Sequence, residues 1–264
     1  MASVKKDFAS RLSPTEHMLI GASAGTLEVT LLQPVIFIKN ALQEGRALPR
    51  NPMHYYRGFG LNVASFSPIT ATQFGANRIA EGAVRKHLGR NPTQLDSIGC
   101  AAFGGAMSSL FSSPSELIQI QQQRTGLSMG AAFRSVAQTH GLLTMYRGFT
   151  PMVFRESVYT AAYLGLMPIL RTTLEQAPLS REMPEAAPLL ISGVTAGLVG
   201  ATFSHPADTV KTRMQAFLEV DKMPEYRGVL STAQTIVGES GFQGLFAGLA
   251  SRCIRIVMAT FILN

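Results

Sequence analysis

The stretch HPADTVKTRMQ, residues 205–215, puts an acid, a base and an amide directly behind the apolar run 186–204. On a helix Asp208, Lys211 and Gln215 stand at i, i+3 and i+7 and share one face, while Pro206 removes a backbone donor one turn earlier and predicts a kink. The expected element is a bent helix of membrane length that carries a charged stripe. A charge at the bilayer centre costs roughly 2.5–3.5 kcal/mol on insertion scales, so such a stripe has to face protein or a water-filled cavity and pair there. Partners are therefore expected elsewhere in the chain.

A search for them exposes an internal repeat. Counted from Pro206, the acid lies two residues on, the base five and the glutamine nine. Pro114 has Glu116, Gln119 and Gln123 at those offsets, and Pro34 has Ile36, Lys39 and Gln43. Upstream of each proline runs a ladder of small residues at four-residue spacing, Gly21 and Gly25, Ala101 and Gly105, Gly193 and Gly197, which permits close helix packing in lipid. Downstream stand Tyr56-Arg57-Gly58, Tyr146-Arg147-Gly148 and Phe246-Ala247-Gly248.

With these motifs in the same order three times, the chain resembles the mitochondrial carrier family. Its repeated signature is P-x-[DE]-x-x-[KR] with a glutamine nine residues after the proline, followed by an aromatic-basic-glycine motif at the start of each even-numbered helix. The third copy fits fully, and the similarity covers nearly the whole chain. The resemblance implies one all-α membrane domain over 1–264, with six transmembrane helices in three pseudo-symmetric repeats of about 100 residues. The repeats fall at about 15–90, 95–178 and 186–264. It also implies a multi-pass protein of the mitochondrial inner membrane, with termini in the intermembrane space and the long loops in the matrix.

Bulk properties agree with that class. A chain that is 46% hydrophobic, only 15% charged and of mean hydropathy +0.18 leans towards a polytopic membrane protein whose polar lining dilutes its hydropathy. Net charge +7 suits an anionic partner, either lipid headgroups or a negatively charged metabolite. The basic residues are scattered, which argues against nucleic acid. Cys100 and Cys253 show no metal-binding spacing and read as packing residues; no metal or cofactor is expected. The N-terminal stretch 1–13 is basic but lacks an apolar core, so it is no secretory signal.

The remaining elements follow the repeat. Odd helices are expected at about 17–43, 97–123 and 188–216, and even helices at about 58–80, 150–170 and from 248 onward. Ala132, Phe133, Val136 and Ala137, and then Val229, Leu230, Ala233, Ile236 and Val237, have helical amphipathic spacing and predict short matrix-side surface helices in repeats two and three. The segment 44–55, with Pro49 and Pro52, reads as a loop too short to hold one.

The resemblance also implies roles. The acid of one repeat pairs with the base of the next to close the matrix side: Glu116 with Lys211 and Asp208 with Lys39, braced by Gln43, Gln123 and Gln215 beside the kinks at Pro34, Pro114 and Pro206. The remaining pair would be Ile36 with Gln119, so the missing acid and the missing base belong to one bridge and no charge is orphaned. Substrate contacts midway along the even helices fall at Ser65, at Arg155-Glu156 and at Arg255. Glu28, an intramembrane acid, joins them as a candidate, or is instead bonded to a neighbour such as Thr30. Two guanidinium groups suit a carboxylate, while Glu156 could take an ammonium group or simply neutralise Arg155. The even-helix starts Arg57, Gly58, Arg147 and Gly148 would hold cardiolipin phosphates, and His205 reads as a packing residue.

On the opposite side, the acids that the family carries near the ends of the even helices are absent from Phe74-Gly75-Ala76-Asn77-Arg78, from 164–168 and at Asn264. Two functional readings follow. The first is antiport or other alternating-access transport of a small carboxylate-bearing metabolite, an amino acid or a di- or tricarboxylate. The second is a carrier fold kept as an accessory subunit of a larger inner-membrane complex, for example a respiratory one. No nucleophile-base set, phosphate loop or metal spacing supports an enzyme.

Overall fold

The computed structural model describes residues 14–178 and 183–263; the basic segment 1–13 and Asn264 lie outside them. The chain is helical: α1 Pro14–Glu44, α2 Phe59–Leu88, α3 Gln94–Thr125, α4 Met129–His140, α5 Phe149–Thr160, α6 Met167–Gln176, α7 Ala187–Ala216, α8 Val229–Ser240 and α9 Leu249–Leu263. A π-helical stretch, Ala161–Leu166, joins α5 and α6 into one long element. At 1.5 Å per residue the 31 residues of α1 extend about 46 Å, more than the roughly 30 Å of a bilayer core. The two amphipathic stretches form α4 and α8, and 45–55 carries no α-helix, only the 3-10 turn Pro52–Tyr56 at its end. The first even helix runs to Leu88, eight residues beyond the expected end at 80, where Gly89 closes it with φ +62°.

The distribution of polarity is inverted relative to a soluble protein. Gln33, Gln43, Asp208, Lys211 and His205 are fully buried, whereas Leu27, Leu31, Phe103, Leu110 and Phe203 are exposed. Polar groups inside an apolar exterior suit lipid as the surrounding solvent. Only Ala187–Ala216 and Phe242–Ile262, among the described residues, are apolar enough to be recognised as membrane spans by composition. The reason is visible in α3, whose buried Ser108 and Ser112 donate back to Gly105 (2.8 Å) and Ser108 (3.1 Å) carbonyls, so a helix rich in hydroxyls satisfies itself.

Two contacts recur in all three odd–even pairs. A Cβ on Gly25 would lie 2.7 Å from Phe66 Cε1, one on Gly197 2.6 Å from Ile256 Cγ2, and one on Gly105 would strike the Glu156 carbonyl oxygen. Phe66, Glu156 and Ile256 each follow directly on a candidate substrate residue, so the glycines set the depth at which Ser65, Arg155 and Arg255 are held. The second contact runs between pairs. Gly58, Gly148 and Gly248 cap their even helices with φ of +84°, +74° and +80°, a region that favours glycine. Their missing side chains leave room for Gln119, Lys211 and Lys39 respectively. Each even helix therefore starts against the next odd helix, and the third starts against the first, which closes the ring.

The prolines lie inside unbroken helices, Pro34 in α1, Pro114 in α3 and Pro206 in α7. Tyr146 donates its hydroxyl (3.3 Å) to the Leu110 carbonyl, the acceptor four residues before Pro114 that has lost its helical donor. The residue before each proline reaches the turn that leads into the even helix of its own pair. Gln33 donates to the Arg57 carbonyl (3.0 Å), Ser113 to Met145 (3.4 Å) and His205 Nε2 to Ala247 (2.9 Å).

Candidate functional site

A cavity of about 100 Å³ lies where Ile36, Lys39 and Asn40 of α1 face Ser65 of α2, Glu116 and Gln119 of α3, Arg155 of α5, and Arg252 and Arg255 of α9. It adjoins a buried network of ion pairs. Lys39 Nζ is 2.9 Å from Asp208 Oδ2, and Gln43 Nε2 donates to the same oxygen at 3.0 Å. Lys211 pairs with Glu116. Arg155 lies 2.6 Å from Glu116 Oε1, in contact with Glu156, and 3.6 Å from Asp208 Oδ1. Lys211 and Arg252 also approach Asp208, to 3.6 and 3.7 Å, and Arg255 lies 3.3 Å from Glu28.

Among the described residues, five cations, Lys39, Lys211, Arg155, Arg252 and Arg255, thus face four carboxylates, Glu28, Glu116, Glu156 and Asp208. One positive charge is in excess. Arg155 Nε and Arg255 Nε are buried without a hydrogen-bond acceptor among the described residues, and Arg252 Nη1 has only the 3.7 Å approach to Asp208. Buried donors left unmade are costly, and an excess cation with open donors is the chemistry of an anion site.

The expected residues are distributed as follows. Ser65 and Arg255 line the cavity, Ser65 donating to the Asn62 carbonyl at 3.2 Å. Glu28 is buried against Arg255, while Thr30 turns to the Thr26 carbonyl (2.7 Å). Glu156 is taken by Arg155 and by Gln73 Nε2 (3.3 Å), which leaves it engaged rather than open to an ammonium group. Of the three glutamines only Gln43 touches an ion pair. Gln123 accepts from Asn40 (2.8 Å) and donates to the Arg57 carbonyl (3.4 Å), and Gln215 donates to the carbonyls of Ser113 (3.4 Å) and Arg147 (3.2 Å). Those two tie helix ends together, because the bridges beside them are absent or already saturated. Arg147 is likewise spent internally, on the carbonyls of Met214 and Tyr226 at 2.7 Å each, which takes its guanidinium out of the expected lipid-phosphate contact.

Arg252 is the residue that the sequence reading missed. It is 7% exposed, donates to Ser204 Oγ at 2.9 Å and lies 5.5 Å over the Tyr159 ring. Its spacing from Arg255, i to i+3 on one helix face, is the signal that could have found it. A larger cavity of about 510 Å³ is lined by Phe74, Asn77, Arg78, Glu81, Arg85 and Leu164. None of the ion-pair network borders it, so the smaller cavity is the candidate site.

Comparison with known proteins agrees with this architecture. The sequence model of the family described as mitochondrial carrier protein matches residues 90–177 and 183–263, and the chain belongs to that family. It is 26% identical to the mitochondrial citrate transporter D of Aspergillus niger, over 91% of this chain and 88% of that protein. It is 28% identical to the S-adenosylmethionine carrier 1, chloroplastic/mitochondrial, of Arabidopsis thaliana (91% and 73%). It is 25% identical to the mitochondrial coenzyme A transporter SLC25A42 of Danio rerio (96% and 85%). The chain is therefore a multi-pass solute carrier of the mitochondrial inner membrane, a class of transporters and not of enzymes.

Proposed function

We propose that this carrier spans the membrane six times in three repeats, about 15–90, 95–178 and 186–264, and moves a small carboxylate-bearing metabolite by alternating access. The substrate class is an amino acid or a di- or tricarboxylate. The observation that carries the reading is the convergence of Arg155, Arg252 and Arg255 on one cavity, with buried Nε donors of Arg155 and Arg255 that have no hydrogen-bond acceptor among the described residues. In this conformation the pairs Lys39–Asp208 and Lys211–Glu116 close the matrix side, and the cavity beside Phe74 and Arg78 belongs to the open, opposite side. The even-helix starts at Gly58 and Gly148, with Arg57, take cardiolipin phosphates through the N–H groups of their first turn. Transport by the citrate and coenzyme A relatives supports an anionic cargo.

Proteoliposomes loaded with citrate, 2-oxoglutarate or aspartate test this directly. Uptake of at least one labelled carboxylate is expected, with Arg255→Ala lowering it roughly tenfold or more, the loss of about one charged hydrogen bond. Uptake no faster than in empty liposomes for every carboxylate would sink the reading. An accessory-subunit role draws on Gly75 and Gly165, which stand where the family motif resembled by the sequence expects acids. Stoichiometric migration in a large assembly on native electrophoresis, together with absent uptake, would favour it.

A further inference from the structure

Where the first and second repeats meet, the ring of ion pairs has a gap. Ile36 and Gln119 occupy the acid and base positions, both line the cavity, and Gln119 Nε2 is buried without a partner among the described residues. Arg155 stands beside that gap. One end of its guanidinium, Nη2, lies 2.6 Å from Glu116 Oε1, and the other, Nη1, lies 3.6 Å from Asp208 Oδ1. Glu116 and Asp208 belong to two different bridges, so a single planar group ties both together. A lysine could not do this, because its ammonium is a point charge and not a fork.

We propose that Arg155 is the third bridge of the matrix gate and that the substrate opens the gate by taking Arg155 away from Glu116 and Asp208. The inference rests on the carboxylate reading of the cavity. The same donors serve cargo and gate: a carboxylate that enters the cavity can first meet the unpartnered Nε of Arg155 and then compete for its two outer nitrogens. Once it wins, Glu116 and Asp208 each keep a single short lysine bridge. Binding energy is converted into gate opening by exchange of ligands on one guanidinium, and an unloaded carrier stays shut because Arg155 keeps Glu116 and Asp208 as partners beside its own neighbour Glu156.

Four purified proteins test this: wild type, Arg155→Gln, the pair Ile36→Asp with Gln119→Lys, and the triple variant. Each is measured for its apparent thermal midpoint in detergent, without and with citrate, and for exchange in proteoliposomes. Arg155→Gln is expected to lower the substrate-free midpoint by roughly 5 °C or more. Adding Ile36→Asp and Gln119→Lys to that variant restores the midpoint but not exchange, since the acid–base bridge rebuilds the gate and the ligand is still missing. In the wild-type background the same bridge slows exchange about tenfold, because the substrate cannot release it. A wild-type midpoint for Arg155→Gln would overturn the proposal, as would a triple variant that stays as unstable as the single one. Arg155→Lys adds a check if Arg155→Gln does not fold: it retains the charge without the fork and is expected to fall between the two. If carboxylate uptake is absent in wild type, the cargo reading fails, yet the midpoints still report whether Arg155 bridges the gate.

Discussion

Asp208 is surrounded by more positive charge than any other carboxylate in the site. Its fully buried oxygens lie 2.9 Å from Lys39, 3.6 Å from Lys211 and Arg155 and 3.7 Å from Arg252, and Gln43 donates at 3.0 Å. At an effective dielectric of about 20, a pair at the shortest of these distances attracts by roughly 5–6 kcal/mol before desolvation is subtracted. Removal of one partner from a buried pair costs about 3–5 kcal/mol net, because the other charge is left uncompensated. Asp208→Asn keeps the shape and removes the charge, so it should cost that amount and lower the apparent thermal midpoint in detergent by roughly 6–20 °C. Lys39 hydrogen-bonds to the Asp208 carboxylate and retains slight exposure, so Lys39→Met should cost no more than the lower part of that range. In the double variant both charges leave together, and the cost should fall below the sum of the singles by at least about 1.5 kcal/mol. The exposed pair Arg171–Glu175, with side chains about half accessible, is the control: Arg171→Ala should cost under about 1 kcal/mol. Additive single costs, or a midpoint for Asp208→Asn within about 2 °C of wild type, would refute the view that these charges hold the helices together.

Two further predictions concern packing and pH. Gly105→Val places side-chain atoms on the backbone carbonyl of Glu156 and within 2.8 Å of Thr160 Oγ1; the backbone cannot yield without moving α3 away from α5, and loss of a monodisperse peak on size exclusion is expected. Tyr226, in the turn Pro224–Tyr226 outside the spanning helices, stacks on Phe217 at 4.6 Å, and burial raises its hydroxyl above the ordinary 10.0. A raised group holds its proton more tightly in the fold. Its contribution is therefore complete below the ordinary value and is lost as pH rises through the raised one. Tyr226→Phe should flatten the fall in thermal midpoint between about pH 9 and about pH 12, and an unchanged slope would assign that fall to other groups.

Much of the chain was open to a reader of the sequence alone. Three prolines, each followed at fixed offsets by charges and a glutamine, exposed the repeat, and the small-residue ladders marked which helix faces meet. Amphipathic spacing located α4 and α8. Through the family resemblance, the same offsets led to Lys39 opposite Asp208 and Lys211 opposite Glu116, and those contacts are present. These features are legible because helical periodicity assigns each residue to a face, and a repeat turns one face into three. What periodicity does not encode is which of several acceptors a long side chain reaches once three helices converge. Arg155 reads as a residue of the cavity wall, yet its guanidinium spans Glu116 and Asp208 from two other helices. Arg252, Gln123, Gln215 and the pre-proline residues Gln33, Ser113 and His205 likewise found partners that lie far away in the chain. The sequence by itself determined the helices, their faces and the repeat that orders them; the tertiary structure alone decided how the buried charges share their partners, because that depends on distances of a few ångströms across helices and not on spacing along any one of them.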